Sequence, residues 1–367
     1  MSVIKEKIPT LFFELIQVAF ANKDTLTVAP SEKEWADLYR LAKEQALIGI
    51  CFYGIQRLPE EQRPEEDLYY KWMGIAAKIQ QRNEFLNKEC VRLQSHFMEA
   101  GFNTVVLKGQ GLLPYYGNLG GFRQTGDIDL WIDGDANAIV DYVRSHFERY
   151  CITKAHIEIE LHDDIIVELH VHPARLRCPW LNSRLQNWFV NNRAKNDVVE
   201  VGNHSFTTVT TDFNLVFLLV HLYHHVLMEG VGLRQFMDYY FVLKSIEKQD
   251  FSMKQSFVSI IDSLGMHKFA QGVMWMMHNI FALENDKLLI EEDVKVGNLL
   301  LKEVLLGGNF GKYDKRNSLV VSSNPLARVM GGIIRNVRFF SIAPAIVLCN
   351  PFWRLWHYCW MKTRGYR

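Results

Sequence analysis

A chain of 367 residues, 49% of them apolar, is long enough for two or three compact units around a sizeable core. Lysine plus arginine balance aspartate plus glutamate at 41 each, so there is no global attraction to polyanions, and any phosphate or nucleic-acid contact has to come from local patches. The six cysteines are scattered without a C-x-x-C pair, which argues against a zinc ribbon or a disulfide framework and fits reduced thiols in a cytoplasm.

Residues 1–100 read as helical. The apolar positions Phe12, Leu15, Ile16, Ala19 and Phe20 keep helical spacing, and Glu14 and Gln17 interrupt the run. That pattern is an amphipathic helix rather than a secretory leader, whose apolar region would be continuous. Ser31 and Glu34 have capping-box spacing and open a helix with Trp35, Leu38, Tyr39, Leu41 and Ala42 on one stripe. Pro59 and Pro64 bracket an acidic loop, and a long helix over 68–100 stops at Gly101.

The character changes at Thr104. A strand over 104–107, a short helix over 111–116 and a strand over 127–132 precede the turn dipeptide Asp133-Gly134, and Asp135 is placed to cap a helix over 136–150. Alternating runs at 155–161 and 165–171 flank a polar turn and read as a β-hairpin. Helices return after Thr210: Asp212 as cap for 213–228, a break at Gly230 and Gly232, then 233–246, 257–283 and 291–306. No window of eighteen apolar residues suggests a spanning helix. From Asn324 the tail is basic and aromatic, with Arg328, Arg335, Arg338, Arg354, Lys362, Arg364 and Arg367 among residues such as Trp353, Trp356, Tyr358 and Trp360. Stacking on single-stranded nucleic acid or lying on a membrane are the less favoured readings of this tail, against a packed core with solvated arginines.

The chemistry-bearing residues lie in the middle block. Residues two apart in a strand share a face, so Asp127 and Asp129 project together while Ile128 and Leu130 point away, a pattern that suits a hard divalent cation. Glu168, flanked by apolar neighbours in the second hairpin strand, shares its face with Ile166 and His170 and supplies a third carboxylate. His221, His224 and His225 share a helix face with no helical carboxylate partner evident, so buried or site-lining histidines are favoured over zinc. Arg234 and Asp238 read as a local helical ion pair or, alternatively, as lining the acceptor side of a cleft.

Leu107-Lys-Gly109, a tyrosine-bearing helix, Arg123, Gly126-Asp-Ile-Asp-Leu130 and the apolar-Glu-Leu-His segment at 167–170 together resemble the uncharacterised nucleotidyltransferase family of the DNA polymerase β superfamily, best over 85–175 and more loosely to 245. The resemblance implies an α+β fold: a polymerase-β-like mixed sheet at 101–200, flanked by helical regions at 1–100 and 201–367. It implies Mg²⁺ or Mn²⁺ held by Asp127, Asp129 and Glu168, with Glu168 assisting deprotonation of the attacking hydroxyl. Lys108 and Gly109 would meet the nucleotide phosphates and Arg123 would hold the triphosphate; His170, by its place on the carboxylate face, either contacts substrate or a metal ligand or only satisfies a neighbouring group. The superfamily's turn usually reads Gly-Ser; here Gln110 follows Gly109, leaving that contact to backbone N–H groups and the lysine. The implied reaction transfers a nucleoside monophosphate from an NTP, ATP first among them, to a hydroxyl of a small molecule, a protein or an RNA end. The competing readings are a catalytically silent nucleotide- or partner-binding module of the same fold and a His-centred metal hydrolase.

Overall fold

The first helices form where capping and apolar spacing coincide. In the computed structural model, which describes residues 6–153, 156–162, 164–193, 195–247, 251–314, 316 and 325–363, they are α1 (Lys7–Ala19), α2 (Glu32–Glu44), α3 (Ile48–Arg57) and α4 (Glu66–Glu99). The Ser31 capping box is complete: its side chain accepts from Glu34 N, and Glu34 Oε2 accepts from Ser31 N at 2.9 Å. Such a cap contributes about 1 kcal/mol. Gly101, with φ +85°, ends α4 in the left-handed conformation that glycine tolerates, and Phe102 N bonds back to Phe97 O at 2.8 Å.

The remaining elements run β1 (Thr104–Leu107), α5 (Leu113–Tyr116), β2 (Ile128–Ile132), α6 (Ala136–His146), β3 (Tyr150–Ile152), β4 (Ile157–Glu160), β5 (Ile166–His170), α7 (Pro179–Asn192), β6 (Asn196–Val201), β7 (His204–Val209), α8 (Thr211–Met228), α9 (Leu233–Lys244), α10 (Phe251–Ser263), α11 (His267–Asn279), α12 (Val294–Gly307), α13 (Pro325–Val337) and α14 (Pro344–Thr363). Among the described residues the strands form one seven-stranded mixed sheet in the order β3-β4-β5-β2-β1-β7-β6. Pairs β2/β5 and β1/β7 are parallel and the others antiparallel.

Strand alternation sorts the sheet's two faces. Val106, Ile128, Leu130, Val167 and Leu169 face Leu86, Cys90, Leu93 and Phe97 of α4 and Ile139 and Val143 of α6, and close one core. Val105, Leu107, Trp131 and Val209 face the other way, into the large core shared by the N-terminal and C-terminal helices, where the Trp131 and Phe213 rings stack 5.4 Å apart. Asp129, Glu168 and His170 alternate with the α4-facing residues, so they fall on this second side.

Several boundaries differ from the sequence reading. Helix α6 stops at His146, because Tyr150–Ile152 pairs with β4. The cap of α8 is Thr210, which accepts from Phe213 N, and Asp212 lies in the first turn. The stretch at 257–283 is two helices, α10 and α11, separated at Gly265 with φ +66°. Helix α7 and the β6–β7 hairpin were not foreseen, and residue 200 lies within β6, so the sheet runs on to Val209. In the tail, Arg335 is buried and donates to the terminal α8 carbonyls of Met228 and Val226, while Arg338 pairs with Glu303 at 3.3 Å. These two arginines are tied into the protein rather than left for a polyanion. Arg364 and Arg367 lie outside the described residues, as do the side chains of Arg328, Tyr358, Trp360 and Lys362. Among the described residues no helix is long and apolar enough to cross a membrane.

The N-terminal helices hold the connection between α5 and β2 by backbone contact. Asn83 of α4 donates to the carbonyls of Gly121 and Arg123, both at 2.8 Å, and a Cβ on Gly49 of α3 would stand 2.1 Å from the Phe122 carbonyl oxygen. Gly49→Ala is therefore expected to lower unfolding stability by about 1–3 kcal/mol, as overpacking does, measured by urea denaturation; a variant as stable as the parent would show that this contact is not as tight as described.

Candidate active site

The site begins where β1 ends. Lys108 (φ 46°, ψ −152°) and Gly109 (φ 36°) both take positive φ and turn the chain out of the sheet. For a lysine this backbone is disfavoured by about 1–3 kcal/mol. It places Lys108 Nζ 2.8 Å from Asp129 Oδ1, across the β1–β2 register that sets Leu107 opposite Asp129. Burial alone would lower the Lys108 pKa, but Asp129, Asp127 and Glu168 together raise it, so the ammonium stays charged.

The carboxylates come from adjacent parallel strands. Asp129 pairs with Glu168 in the β2/β5 register, Asp127 sits one residue before β2, and each of the three offers an oxygen within 4.8 Å of the others. Asp129 is buried, and its Oδ1 also lies 2.8 Å from His170 Nε2, which is 3.2 Å from Glu168 Oε2. Burial pushes the Glu168 carboxyl up, but the His170 hydrogen bond and Lys108 outweigh it and hold it at about 2. Burial would likewise lower His170, yet its bonds to Asp129 and Glu168 raise it. Three converging carboxylates against one lysine fit a hard divalent ion, which takes oxygen ligands. The donor set, with Asp129 buried and Asp127 and Glu168 more exposed, leaves ligand positions open on the cavity side.

Arg123 is placed differently from the sequence expectation. Its guanidinium is buried and forms a two-pronged ion pair with Asp238 of α9, Nε to Oδ1 at 2.6 Å and Nη2 to Oδ2 at 2.7 Å, while Tyr116 OH donates to Oδ1 at 2.5 Å. Arg123 borders the cavity but its fork is spent on Asp238, not held free for a triphosphate. Arg234 and Asp238 accordingly form no local pair: Arg234 donates to the Gln124 carbonyl at 2.7 Å, and its buried Nε has no hydrogen-bond partner. Both residues do line the cavity. Gln110 does not. Its amide is buried against α4, donating to Asn87 Oδ1 at 2.8 Å and to Asn83, because the positive-φ turn after β1 leads the chain toward α4 there. Its side chain is thus no part of the phosphate-facing wall.

Lys108, Gly109, Asp127, Asp129, Glu168 and His170 form one wall of a 340 Å³ cavity whose opposite wall comes from α8 and α9. That volume is in the range of small-ligand sites. His221 and His224 line it, and burial drives both well down, His224 to about 3, so they stay neutral. His225 has a helical carboxylate partner after all: its Nδ1 lies 2.9 Å from Glu229 Oε2, and that bond holds Glu229 at about 2. Among the described residues neither cluster with metal-ligand spacing includes His221, His224 or His225. Arg175, His224 and Glu229 also border a second, 870 Å³ cavity with an aromatic wall of Trp180, Phe352, Trp353 and Trp356. Sequence reasoning missed His156 and the Tyr116 hydroxyl as site residues. The hairpin register was the signal for His156: Ile157 opposes Leu169, so one step further His156 opposes His170.

The family described as uncharacterised nucleotidyltransferase matches residues 31–282, which take in α2 through α11 and the whole of this site. No curated protein matches the chain. Among solved structures, an antigenic nucleotidyltransferase-like protein from Paracoccidioides brasiliensis is similar over 48% of this chain and 87% of that one, at 12% identity and a TM-score of 0.32, a likeness too slight to argue from. With a family match over most of its length, covering every carboxylate of the cluster, the chain belongs to the uncharacterised nucleotidyltransferase family.

Proposed function

We propose that the protein transfers a nucleoside monophosphate from an NTP, ATP foremost, to an acceptor hydroxyl in a metal-dependent reaction. The observation that carries this reading is the convergence of Asp127, Asp129 and Glu168 within 4.8 Å beside the Lys108-Gly109 turn, at the wall of a ligand-sized cavity. Mg²⁺ or Mn²⁺ on these carboxylates would neutralise charge on the phosphates and lower the pKa of the acceptor hydroxyl.

The chain's own groups do the positioning. Gly109, without a side chain, lets phosphate approach the turn, and Lys108 and Arg234 face it from opposite walls. Arg234 takes the part the resemblance assigns to Arg123, since it stands on the cavity wall with a buried Nε that has no hydrogen-bond partner. Glu168, held at about 2, is ionised at neutral pH but a weak base, which suits a metal ligand better than a proton acceptor. The Arg123–Asp238–Tyr116 cluster ties the glycine-rich connection to α9 and so sets the width of the cleft. The acceptor reaches the phosphorus from the adjoining aromatic cavity, which favours an acceptor with an apolar body.

A silent binding module is the second reading, and the occupied side chains of Gln110 and Arg123 favour it. Pyrophosphate release separates the two. The parent protein with ATP, Mn²⁺ and candidate hydroxyl acceptors is expected to release pyrophosphate, and Asp127→Asn to lose roughly 10²-fold or more of that rate with an unchanged circular dichroism spectrum. Transfer by Asp127→Asn at the parent rate would remove the carboxylate assignment. In equilibrium binding, Arg234→Gln is expected to weaken Mg²⁺–NTP affinity by roughly tenfold, about 1.4 kcal/mol, whereas an unchanged Kd would take Arg234 out of the nucleotide site.

A further inference from the structure

Glu168 belongs to two ligand sets. One is the carboxylate triad; the other is His156, Glu168 and His170, whose ligand atoms also lie within 4.8 Å of one another. We infer that this second set is a binding site for a nitrogen-preferring divalent cation, Zn²⁺ in the first instance, distinct in chemistry from the all-oxygen site beside it. The inference stands whether or not the protein transfers nucleotides.

The hairpin builds the set. The β4/β5 register leads His156 opposite His170, with the α4-facing Ile157 and Leu169 on the other side of the sheet, so both imidazoles stand on the face that carries Glu168. Their Nε2 atoms bracket its carboxylate: His156 Nε2 lies 3.6 Å from Oε1 and His170 Nε2 lies 3.2 Å from Oε2. Zinc bonds of about 2.0–2.2 Å in tetrahedral geometry require ligand separations of about 3.3–3.5 Å, and the two distances straddle that range. His156 is held in place by its own turn, where its backbone N–H donates to Thr153 Oγ1 at 3.0 Å and its carbonyl accepts from the same hydroxyl at 2.7 Å.

Further carboxylates stand at the ligating nitrogens themselves, and their hydrogen bonds to the imidazoles give way when a cation enters. Asp129 Oδ1 lies 2.8 Å from His170 Nε2, and Glu158 Oε1 lies 3.0 Å from His156 Nε2, so an entering cation meets further carboxylate around both imidazoles. All three members line the 340 Å³ cavity, which leaves a fourth position for water or a substrate oxygen. Two imidazoles and one carboxylate with an open position form a donor set that zinc uses at catalytic sites, and imidazole donors select Zn²⁺, Co²⁺ or Ni²⁺ over Mg²⁺.

The test is Co²⁺ titration of the full chain after chelator treatment, followed by visible absorption and X-ray absorption. The expected result is one equivalent with d–d bands of four- or five-coordinate cobalt, two imidazoles in the X-ray absorption shell and displacement by Zn²⁺. His156→Gln and His170→Gln, checked for folding by circular dichroism, are expected to weaken binding at least about tenfold, while Asp127→Asn keeps the spectrum. A weak octahedral spectrum with no imidazole shell in the parent would overturn the inference, as would a spectrum that survives both histidine substitutions or is lost in Asp127→Asn alone. None of these readouts depends on pyrophosphate release, so failure here and failure of the transferase reading are told apart.

Discussion

The arrangement rests on a repulsion. Parallel pairing of β2 with β5 sets Asp129 beside Glu168, with Asp127 close by, and like charges near 4 Å apart repel by about 4 kcal/mol at the effective dielectric of a protein surface. Folding leaves this cluster on one sheet face, so cations must gather around it. Lys108 supplies one from a strained turn, and His170 adds a hydrogen bond to Asp129 from the same sheet face. On the proposed reading, the negative charge left uncovered is what a divalent ion and its phosphate ligands would meet in the cavity.

The rest of the molecule positions that cluster. Helices α4 and α6 close one face of the sheet with aliphatic side chains, leaving the charged face to look toward α8 and α9. The Arg123 fork on Asp238 then joins the sheet layer to α9 through two charge-assisted bonds in a buried setting, where loss of one partner strands the other. Opposite, α3 and α4 hold the backbone of the same connection through Gly49 and Asn83. The glycine-rich segment is thus gripped from both sides, and the N-terminal helices act on the site through it.

How much of this the sequence disclosed depended on whether the signal was local. The D-x-D alternation, the Lys-Gly break, the acid within an apolar strand and the Ser31 capping box are local patterns; the capping box forms, and Asp129 and Glu168 pair on adjacent strands, while Asp127 falls one residue before β2. The β6–β7 hairpin was also written locally, as alternation around Gly202, whose φ is +60°, but it lies apart from the residues that carried the family resemblance. What sequence could not disclose were side-chain commitments over long range. Nothing near Arg123 announces that its partner is Asp238, and nothing near Gln110 announces that its amide turns to Asn87. Arg234 and Asp238, four apart on one helix, invite a local pair that the more distant Arg123 pre-empts. His156 was reachable only by extending the hairpin register one residue beyond its regular strand.

On the proposed reading the three carboxylates hold a metal against an NTP. Crystals grown with Mn²⁺ and a non-hydrolysable ATP analogue, measured at the manganese edge, test it most directly. An anomalous peak is expected within coordination distance of Asp127, Asp129 and Glu168, with the triphosphate lying between Lys108 and Arg234. A nucleotide and manganese bound elsewhere on the chain, with the three carboxylates bare, would contradict it.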